Sequence, residues 1–199
     1  MLGRMNEIAA AGLWLRKLGE RFPAGVVVVA GNHDWMFQRN RMMALNLLNN
    51  GITTEGRGNI KYLEDSGCTI RGLKLYGSPH QPTFFDWAFN LDRGEAIRRK
   101  WDLIPEGLDI LITHGPPMGI HDQISPHLGS EHIGCEELMA AVERAKPKVH
   151  VFGHIHGGYG RTQHVSTLFV NAAICDEQYQ PRNAPIVIEL PDAEEKAEA

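Results

Sequence analysis

The run Val26–Val29, which is followed after Ala30 and Gly31 by the polar triplet Asn32–Asp34, constrains the fold of this chain more than any other stretch. Four consecutive β-branched residues predict a strand that is buried on both faces. The polar triplet indicates where that strand ends. Because open α/β sheets bind their ligands just beyond the carboxyl ends of strands, we expect chemistry at these three side chains.

Two later stretches repeat this design. Ile110–Thr113 leads directly into His114, and Val149–Phe152 leads into a Gly-His-Ile-His sequence that carries His154 and His156. Three strands would thus deliver polar side chains to one edge of a sheet. Histidines at positions i and i+2 point to opposite sides of an extended chain, so this pair suits two adjacent ions better than one. The pattern predicts a metal site.

Size and charge narrow the class of protein. A chain of 199 residues can bury a sizeable core, and we predict a single domain over residues 1–190 with an acidic, disordered tail over 191–199. A formal net charge of -4 argues against a strong nucleic-acid surface. Three cysteines without a CxxC spacing suit a reducing compartment. With no apolar run near the roughly 18 residues of a membrane span, we expect a cytoplasmic protein without membrane partners.

Periodicity predicts the secondary structure between these motifs. Apolar residues recur at helical spacing in four segments: Met5–Leu18, Arg39–Leu48, Gly94–Trp101 and Glu136–Ala145. Short extended runs predict an antiparallel meander over Asn59–Leu63, Cys68–Arg71 and Leu73–Tyr76. Further antiparallel strands are predicted at Arg161–His164, Thr167–Asn171 and Pro185–Leu190.

An aromatic segment follows the breaker-rich loop Gly77–Pro82. Phe84, Phe85, Trp87 and Phe89 occur within six positions. Such a density of rings near strand ends is suited to stacking a flat base. The alternative is a satellite hydrophobic cluster beneath a long loop, and the sequence leaves both interpretations open.

Several of these motifs resemble those of a known family. The segments at residues 31–34, 113–117 and 153–156 are similar to the third, fourth and fifth motifs of the calcineurin-like metallophosphoesterases. Further segments resemble the branch of metallophosphoesterase-domain-containing (MPPED-type) proteins: Gly77–Pro82, Trp87–Asn90, Gly134–Cys135, Lys146–His156 and Val170–Ala173. The resemblance implies an α/β fold in which two mixed β-sheets pack face to face and are flanked by helices.

The resemblance also implies a set of metal ligands. Asn32, His114 and His154 would bind one ion of a two-metal centre, and His156 would bind the other. Imidazole nitrogens with an amide oxygen suit Mn, Fe or Zn better than Ca or Mg, and we favour Mn. Two cations would lower the pKa of a bridging water and hold the attacking and leaving oxygens of an in-line displacement at phosphorus.

The implied reaction is metal-dependent hydrolysis of a phosphodiester, with a small cyclic or linear nucleotide as substrate. His33 would be the general acid, and Asp34 would fix its tautomer and raise its pKa. His80, together with Asn32 and His33, would contact the substrate.

One part of the family pattern does not occur in this sequence. The family carries an Asp-x-His and a Gly-Asp at the ends of its first two strands, and the segment before Val26 contains neither. In the family pattern the Gly-Asp carboxylate bridges the two ions, so its absence removes the bridge and most ligands of the ion at His156. The complete family site holds two ions, and a single ion is the alternative for this chain. The chain therefore resembles the family domain without its first two strands.

Three hypotheses account for this difference. The sequence is a fragment or has a misassigned start; or it is a short form that binds nucleotide, phosphate or metal without turnover; or carboxylates come from elsewhere. In the last case another chain would supply them, or Asp122 and Glu131 would do so from within this chain. Missing inner strands would also expose sheet edges, which favours self-association.

Overall fold

The computed structural model describes residues 3–49, 60–125, 129 and 131–190. Its helices are α1 (Met5–Arg21), α2 (Trp35–Arg39), α3 (Arg41–Leu48), α4 (Glu95–Trp101) and α5 (Glu136–Ala145). Its strands are β1 (Val26–Val28), β2 (Ile60–Tyr62), β3 (Ser66–Ile70), β4 (Leu73–Ser78), β5 (Gln81–Pro82), β6 (Asn90–Leu91), β7 (Ile110–Thr113), β8 (Val149–Phe152), β9 (Gly160–His164) and β10 (Thr167–Asn171). The four predicted helices are confirmed, the second of them as α3, whereas α2 was not predicted from the sequence.

A six-stranded mixed sheet forms the centre of the molecule, in the order β3-β4-β7-β8-β10-β9. The inner strands β4, β7, β8 and β10 run parallel, and β3 and β9 are antiparallel edge strands. Helices α4 and α5 cover one face. Leu138 and Val142 lie one turn apart on α5 and are buried with Leu111 and Phe169 of the sheet, as i, i+4 spacing dictates. The predicted α/β class is thereby confirmed.

Strands β1 and β2 form a separate two-stranded parallel sheet. The prediction that β1 is buried on both faces is wrong, since all three of its residues are only half-buried. Among the described strands β1 has β2 as its single neighbour. Beside it lies a cavity of about 590 Å³ whose lining includes Ile8, Leu15, Val28 and Phe37. The side chain of Val28 borders this cavity, so that face of β1 is only partly covered.

The predicted meander is correct in only one of its two turns. Strands β3 and β4 form an antiparallel hairpin, and its two-residue turn has Arg71 at φ 48° and Gly72 at φ 77°, the conformation that suits the twist of a hairpin. Strand β2 instead pairs with β1 in parallel. Helices α2 and α3 connect β1 to β2, and such a crossover returns the chain in the same direction.

The last predicted strand, Pro185–Leu190, is irregular in the structure. Ile186, Ile188 and Leu190 alternate with more exposed residues, which is why the sequence resembles a strand. No strand of the described residues pairs with this segment. The predicted tail lies outside the described residues. Of the helices that the structure describes, none combines the length and apolarity needed to cross a membrane.

Candidate metal centre

Three strand ends place the candidate ligands. Strands β7 and β8 are parallel neighbours, and beyond their ends the Gly153 amide donates to the His114 carbonyl at 3.0 Å. The chain therefore turns at the same level after both strands. Beyond the end of β1, Asn32 reaches this level from the smaller sheet. The polar groups therefore meet at strand ends as predicted, but the prediction of one shared sheet edge is wrong, because β1 belongs to a separate sheet.

Asn32, His114 and His154, which we call the triad, place three ligand-type atoms together. His114 Nε2 lies 2.9 Å from Asn32 Oδ1 and 3.1 Å from His154 Nδ1. Ligands about 2.1 Å from a cation and at right angles are about 3 Å apart. The spacing of the triad atoms therefore fits a shared first-row cation.

The electrostatics of the triad favour neutral rings. Burial, aided by repulsion from His154 and His33, holds the pKa of His114 well below its usual value. Burial, aided by the charges of His156 and His33, lowers the pKa of His154 to about 4. Near neutral pH both rings are uncharged, and each then keeps one nitrogen lone pair for a ligand. A cation would use these lone pairs without displacing protons.

Gly31 allows the His114 ring to approach the triad. A Cβ at position 31 would lie 2.6 Å from His114 Cε1 and 2.8 Å from its Nδ1. No side chain tolerates that separation from a buried ring, so the glycine before Asn32 is required by close packing.

His156 lies beside the triad rather than within it. Its Nδ1 donates to the Asp176 carbonyl at 2.9 Å, so Nε2 is the ring nitrogen that could bind a metal ion. Its charge acts on His154, so the two rings are close. Across the described residues, no three His, Cys, Asp or Glu side chains form a metal-binding group, because the triad holds two histidines and an asparagine. A second ion at His156 stays a prediction.

The structure corrects the partner expected for His33. Asp34 Oδ2 accepts from the Gly31 amide at 2.8 Å, and the Asp34 amide donates to the Gly31 carbonyl at 2.9 Å. Asp34 therefore closes its own turn, and burial raises its pKa. It acts on His33 through charge rather than by the expected hydrogen bond. The His33 ring lies 5.4 Å from the Trp87 ring.

His80 belongs to a different group from the triad. Its Nε2 lies 3.1 Å from Asp65 Oδ2, and Asp65 also accepts from Lys100 Nζ at 2.6 Å and Ser78 Oγ at 2.8 Å. Burial opposes ionisation of Asp65, but the bonds from His80 and Lys100 outweigh it and lower the pKa of this carboxyl. His80 is thus part of an ion cluster with Asp65 and Lys100. The predicted contact of His80 with substrate stays a prediction.

Asp122 is a loop anchor, which contradicts its suggested use as a metal ligand. Its side chain is fully buried. It accepts from the amides of Gly119 and Gly134 at 2.9 Å each and lies 2.5 Å from His132 Nδ1. These bonds tie the two ends of the loop together. Glu131, the second candidate, is exposed.

Two residues of this region were given no role from the sequence, although Asn171 lies in the family-like segment Val170–Ala173. Asn171 is fully buried, and its Nδ2 donates to the Ile155 carbonyl at 2.8 Å, which fixes the chain between the two histidines. Its position at the end of β10 was the available signal. Tyr179 packs its ring 4.9 Å from that of His156, and nothing in the surrounding sequence indicates this contact.

Comparison with known proteins identifies the family. The sequence pattern of the family described as calcineurin-like phosphoesterase matches residues 4–158. Human metallophosphoesterase domain-containing protein 1 is 42% identical over 205 residues, which cover 96% of this chain and 61% of that protein. UPF0046 protein T07D4.2 of Caenorhabditis elegans is 37% identical, over 95% of this chain and 52% of that protein. The chain thus spans between half and two thirds of these relatives.

Solved structures share the fold. One crystal structure has a TM-score of 0.59 at 22% identity and covers 85% of this chain and 65% of its own. The structure of TT1561 of Thermus thermophilus has a TM-score of 0.51 at 16% identity and covers 87% and 71%. The family match includes Asn32, His114 and His154. The sequence is also similar to that of the human metallophosphoesterase domain-containing protein, and the chain belongs to the calcineurin-like phosphoesterase family.

Proposed function

We propose that this chain is a metal-dependent phosphoesterase that hydrolyses a phosphodiester, with a small cyclic or linear nucleotide as substrate. The observation that carries the proposal is the spacing of Asn32 Oδ1, His114 Nε2 and His154 Nδ1, in which neighbouring atoms are 2.9 and 3.1 Å apart. Membership of the calcineurin-like phosphoesterase family supports the class of reaction.

The triad would hold the cation, and Mn is our first choice, with Fe or Zn as alternatives. Two imidazole nitrogens and one amide oxygen are the ligand types that these ions accept. A bound cation supplies Lewis acidity at phosphorus and a water of lowered pKa. Because the His114 and His154 rings are neutral near pH 7, the site does not lose cation affinity to protonation at that pH.

His33 would supply the proton that the leaving oxygen requires. It follows Asn32 directly, and its charge acts on both triad histidines, so it lies beside the place where phosphorus would sit. A positioned imidazole can donate a proton to an alkoxide as the ester bond breaks. Trp87 packs against this ring and limits its movement.

The second candidate is a protein that binds nucleotide, phosphate or metal without turnover. It is favoured because two carboxylates that could otherwise serve a metal ion are engaged elsewhere: Asp34 is bonded to its own turn, and Asp122 is bonded to its loop. The neutral triad leaves a divalent cation uncompensated by negative charge. A cation held by neutral ligands alone would bind a phosphate group, but without a bridging carboxylate it would support a metal-bridging water poorly.

Metal content and turnover separate the two candidates. The purified chain is loaded with Mn, its metal is counted, and hydrolysis of bis(4-nitrophenyl) phosphate is followed. Two bound ions with turnover support the enzyme, whereas one or none with nucleotide binding supports the alternative. Within the enzyme, His33→Ala is expected to lose turnover and retain metal, and His154→Ala is expected to lose metal. If both variants kept full activity, the site would be wrongly placed.

A further inference from the structure

Three clustered aromatic rings lie next to the triad. Phe84 and Phe85 are 54% and 74% exposed, and both pack against Trp87, at 5.3 and 5.7 Å between ring centroids. We call these three residues the aromatic cluster. Exposed apolar groups that gather on a surface are typical of a place where something binds, since single exposed rings are common and clustered ones are not.

The aromatic cluster begins at the rings that would hold the phosphoester. Trp87 lies 5.4 Å from the His33 ring and 5.9 Å from the His154 ring. A ligand with its phosphorus at the triad would therefore have its organic substituent beside Trp87, with Phe84 and Phe85 farther out. The aromatic cluster therefore lies where it could contact that substituent and select among substrates.

Hydrogen bonds hold the cluster in place. Asn90 Nδ2 donates to the carbonyl of Phe84 at 3.2 Å and to that of Phe85 at 2.9 Å, and Gln81 Nε2 donates to Asn90 Oδ1 at 2.9 Å. Phe85 has φ 49°, a left-handed conformation that is unfavourable for a bulky residue. Such conformations persist where the surroundings enforce them, and they concentrate at binding sites.

A second exposed aromatic ring, that of Tyr179, packs against His156, the candidate metal ligand outside the triad. Tyr179 packs 4.9 Å from the His156 ring, is 76% exposed and has φ 59°. The Asp176 carboxylate fixes its loop by accepting from the Gln178 and Gln180 amides at 2.9 Å each. Two exposed aromatic residues with positive φ, each held by a polar side chain, thus flank the histidines.

We propose that the aromatic cluster and Tyr179 are stacking surfaces for flat aromatic groups of the phosphoester, such as nucleobases. This inference rests on the proposed function, because it takes the triad as the phosphate site. Stacking tolerates any base, since each base has a π-face. The site would then select aromatic over aliphatic esters while discriminating weakly between bases. A diester with an aromatic group on each side of phosphorus would contact both surfaces.

The test compares ligands that differ in their flat group. Adenosine monophosphate, ribose 5-phosphate and adenosine are titrated calorimetrically into the Mn-loaded chain. We expect adenosine monophosphate to bind more tightly than ribose 5-phosphate. Phe85→Ala should weaken adenosine monophosphate by about 5- to 100-fold, the range of base stacking on an aromatic residue, and leave ribose 5-phosphate unchanged. Phe85→Tyr, which keeps the ring, should restore binding.

Controls separate this inference from the proposed function. Phe22 is also an exposed aromatic residue, at the end of α1, and Phe22→Ala should have no effect on any ligand. Equal binding of both phosphates, unaltered by Phe85→Ala and Tyr179→Ala, would overturn the stacking surfaces and leave the phosphate site intact. Adenosine binding that Phe85→Ala abolishes, without binding of ribose 5-phosphate, would support the surfaces and reject the phosphate site. No binding of adenosine monophosphate or adenosine would overturn the inference.

Discussion

His114 Nε2 and His154 Nδ1 lie 3.1 Å apart although 40 residues separate them in the chain. Both nitrogens belong to rings whose pKa is lowered by burial. Two neutral rings can satisfy this approach when one ring N–H donates to the nitrogen of the other ring. A cation can bind both nitrogens once the donor ring holds its proton on its other nitrogen, so that no proton leaves the site. The same contact between the two rings is therefore stable without a metal ion and can bind one. This is the central physical claim.

The glycine before Asn32 provides the first test of that contact. We expect Gly31→Ala to displace the His114 ring, because the new Cβ would lie 2.6 Å from His114 Cε1, and to weaken Mn binding by at least tenfold. Gly115→Ala is the matched control, since the nearest atom to its Cβ would be His154 Cδ2 at 3.9 Å. Calorimetric titration with Mn measures both. Equal affinity in the two variants would mean that the ring position does not matter.

Acid should destabilise the metal-free protein. Burial lowers the pKa of His150 to about 3 and that of His154 to about 4, whereas an unfolded histidine titrates near 6.5. Below pH 6.5 the unfolded chain binds more protons than the folded chain, so the free energy of unfolding falls as the pH decreases towards 4. Urea unfolding at pH 7.5, 6.0 and 5.0 in the presence of a chelator measures this fall.

A substitution isolates the share of one histidine in that pH dependence. His150 is fully buried, and its Nε2 lies 2.8 Å from Thr113 Oγ1. His150→Gln should reduce the slope between pH 6.5 and 5.0, because glutamine has no proton to bind in that range. His164→Gln, at an exposed position on β9, is the control. A slope that His150→Gln leaves unchanged would remove this histidine from the account.

The loop anchor Asp122 gives a stability prediction. Asp122→Ala removes the acceptor for the buried amide of Gly134 and for the part-buried amide of Gly119, and each unsatisfied buried group costs about 1–3 kcal/mol. We expect the free energy of unfolding to fall by about 2–4 kcal/mol, while the number of Mn ions bound per chain stays the same. Glu131→Gln, at an exposed position, should change neither quantity. Loss of a bound ion without loss of stability in Asp122→Ala would instead make this carboxylate a ligand.

The ion cluster around Asp65 yields a further prediction. Its carboxylate, 14% exposed, bonds Lys100 and His80, so Asp65→Asn leaves a partly buried ammonium group without its counter-charge. We expect a loss of about 2–3 kcal/mol of stability, which is less than the roughly 3–5 kcal/mol for breaking a fully buried ion pair, because the Lys100 side chain is 37% exposed. Asp86→Asn, at an exposed position between Phe85 and Trp87, is the control. Thermal and urea unfolding measure the difference, and equal stability of the two variants would contradict the role of this cluster.

The meeting of His114 and His154 was predictable because its signal is local: an apolar run that ends in a polar residue marks a strand end, and β7 and β8 are parallel neighbours in one sheet. Asn32 follows β1 of the smaller sheet, and the resemblance to the family, rather than a shared sheet edge, indicated that it joins the two histidines. The partner of Asp34 was not predictable. A carboxylate next to a histidine can bond either to the histidine ring or to a backbone amide of its own turn, and the same sequence is compatible with both arrangements.

Strand pairing shows the same limit. The hairpin of β3 and β4 follows from its turn residues, whereas β2 and Pro185–Leu190 have strand-like alternation but no local signal of their partners. Pairing of β1 with β2 depends on how α2 and α3 return the chain. The exposure of Phe85 and Tyr179 depends likewise on loop conformations at positive φ, which no residue preference indicates for aromatic side chains.

The most direct test of the central claim is a cation titration of the wild-type chain against the paired variants His114→Ala and His154→Ala. Co²⁺ absorbance reports binding and ligand type together, because imidazole ligands alter its visible bands. We predict at least one equivalent bound by the wild-type chain and loss of the band in either variant, with His164→Ala unchanged. Binding of Co²⁺ with the same affinity and the same spectrum in both triad variants would contradict the account.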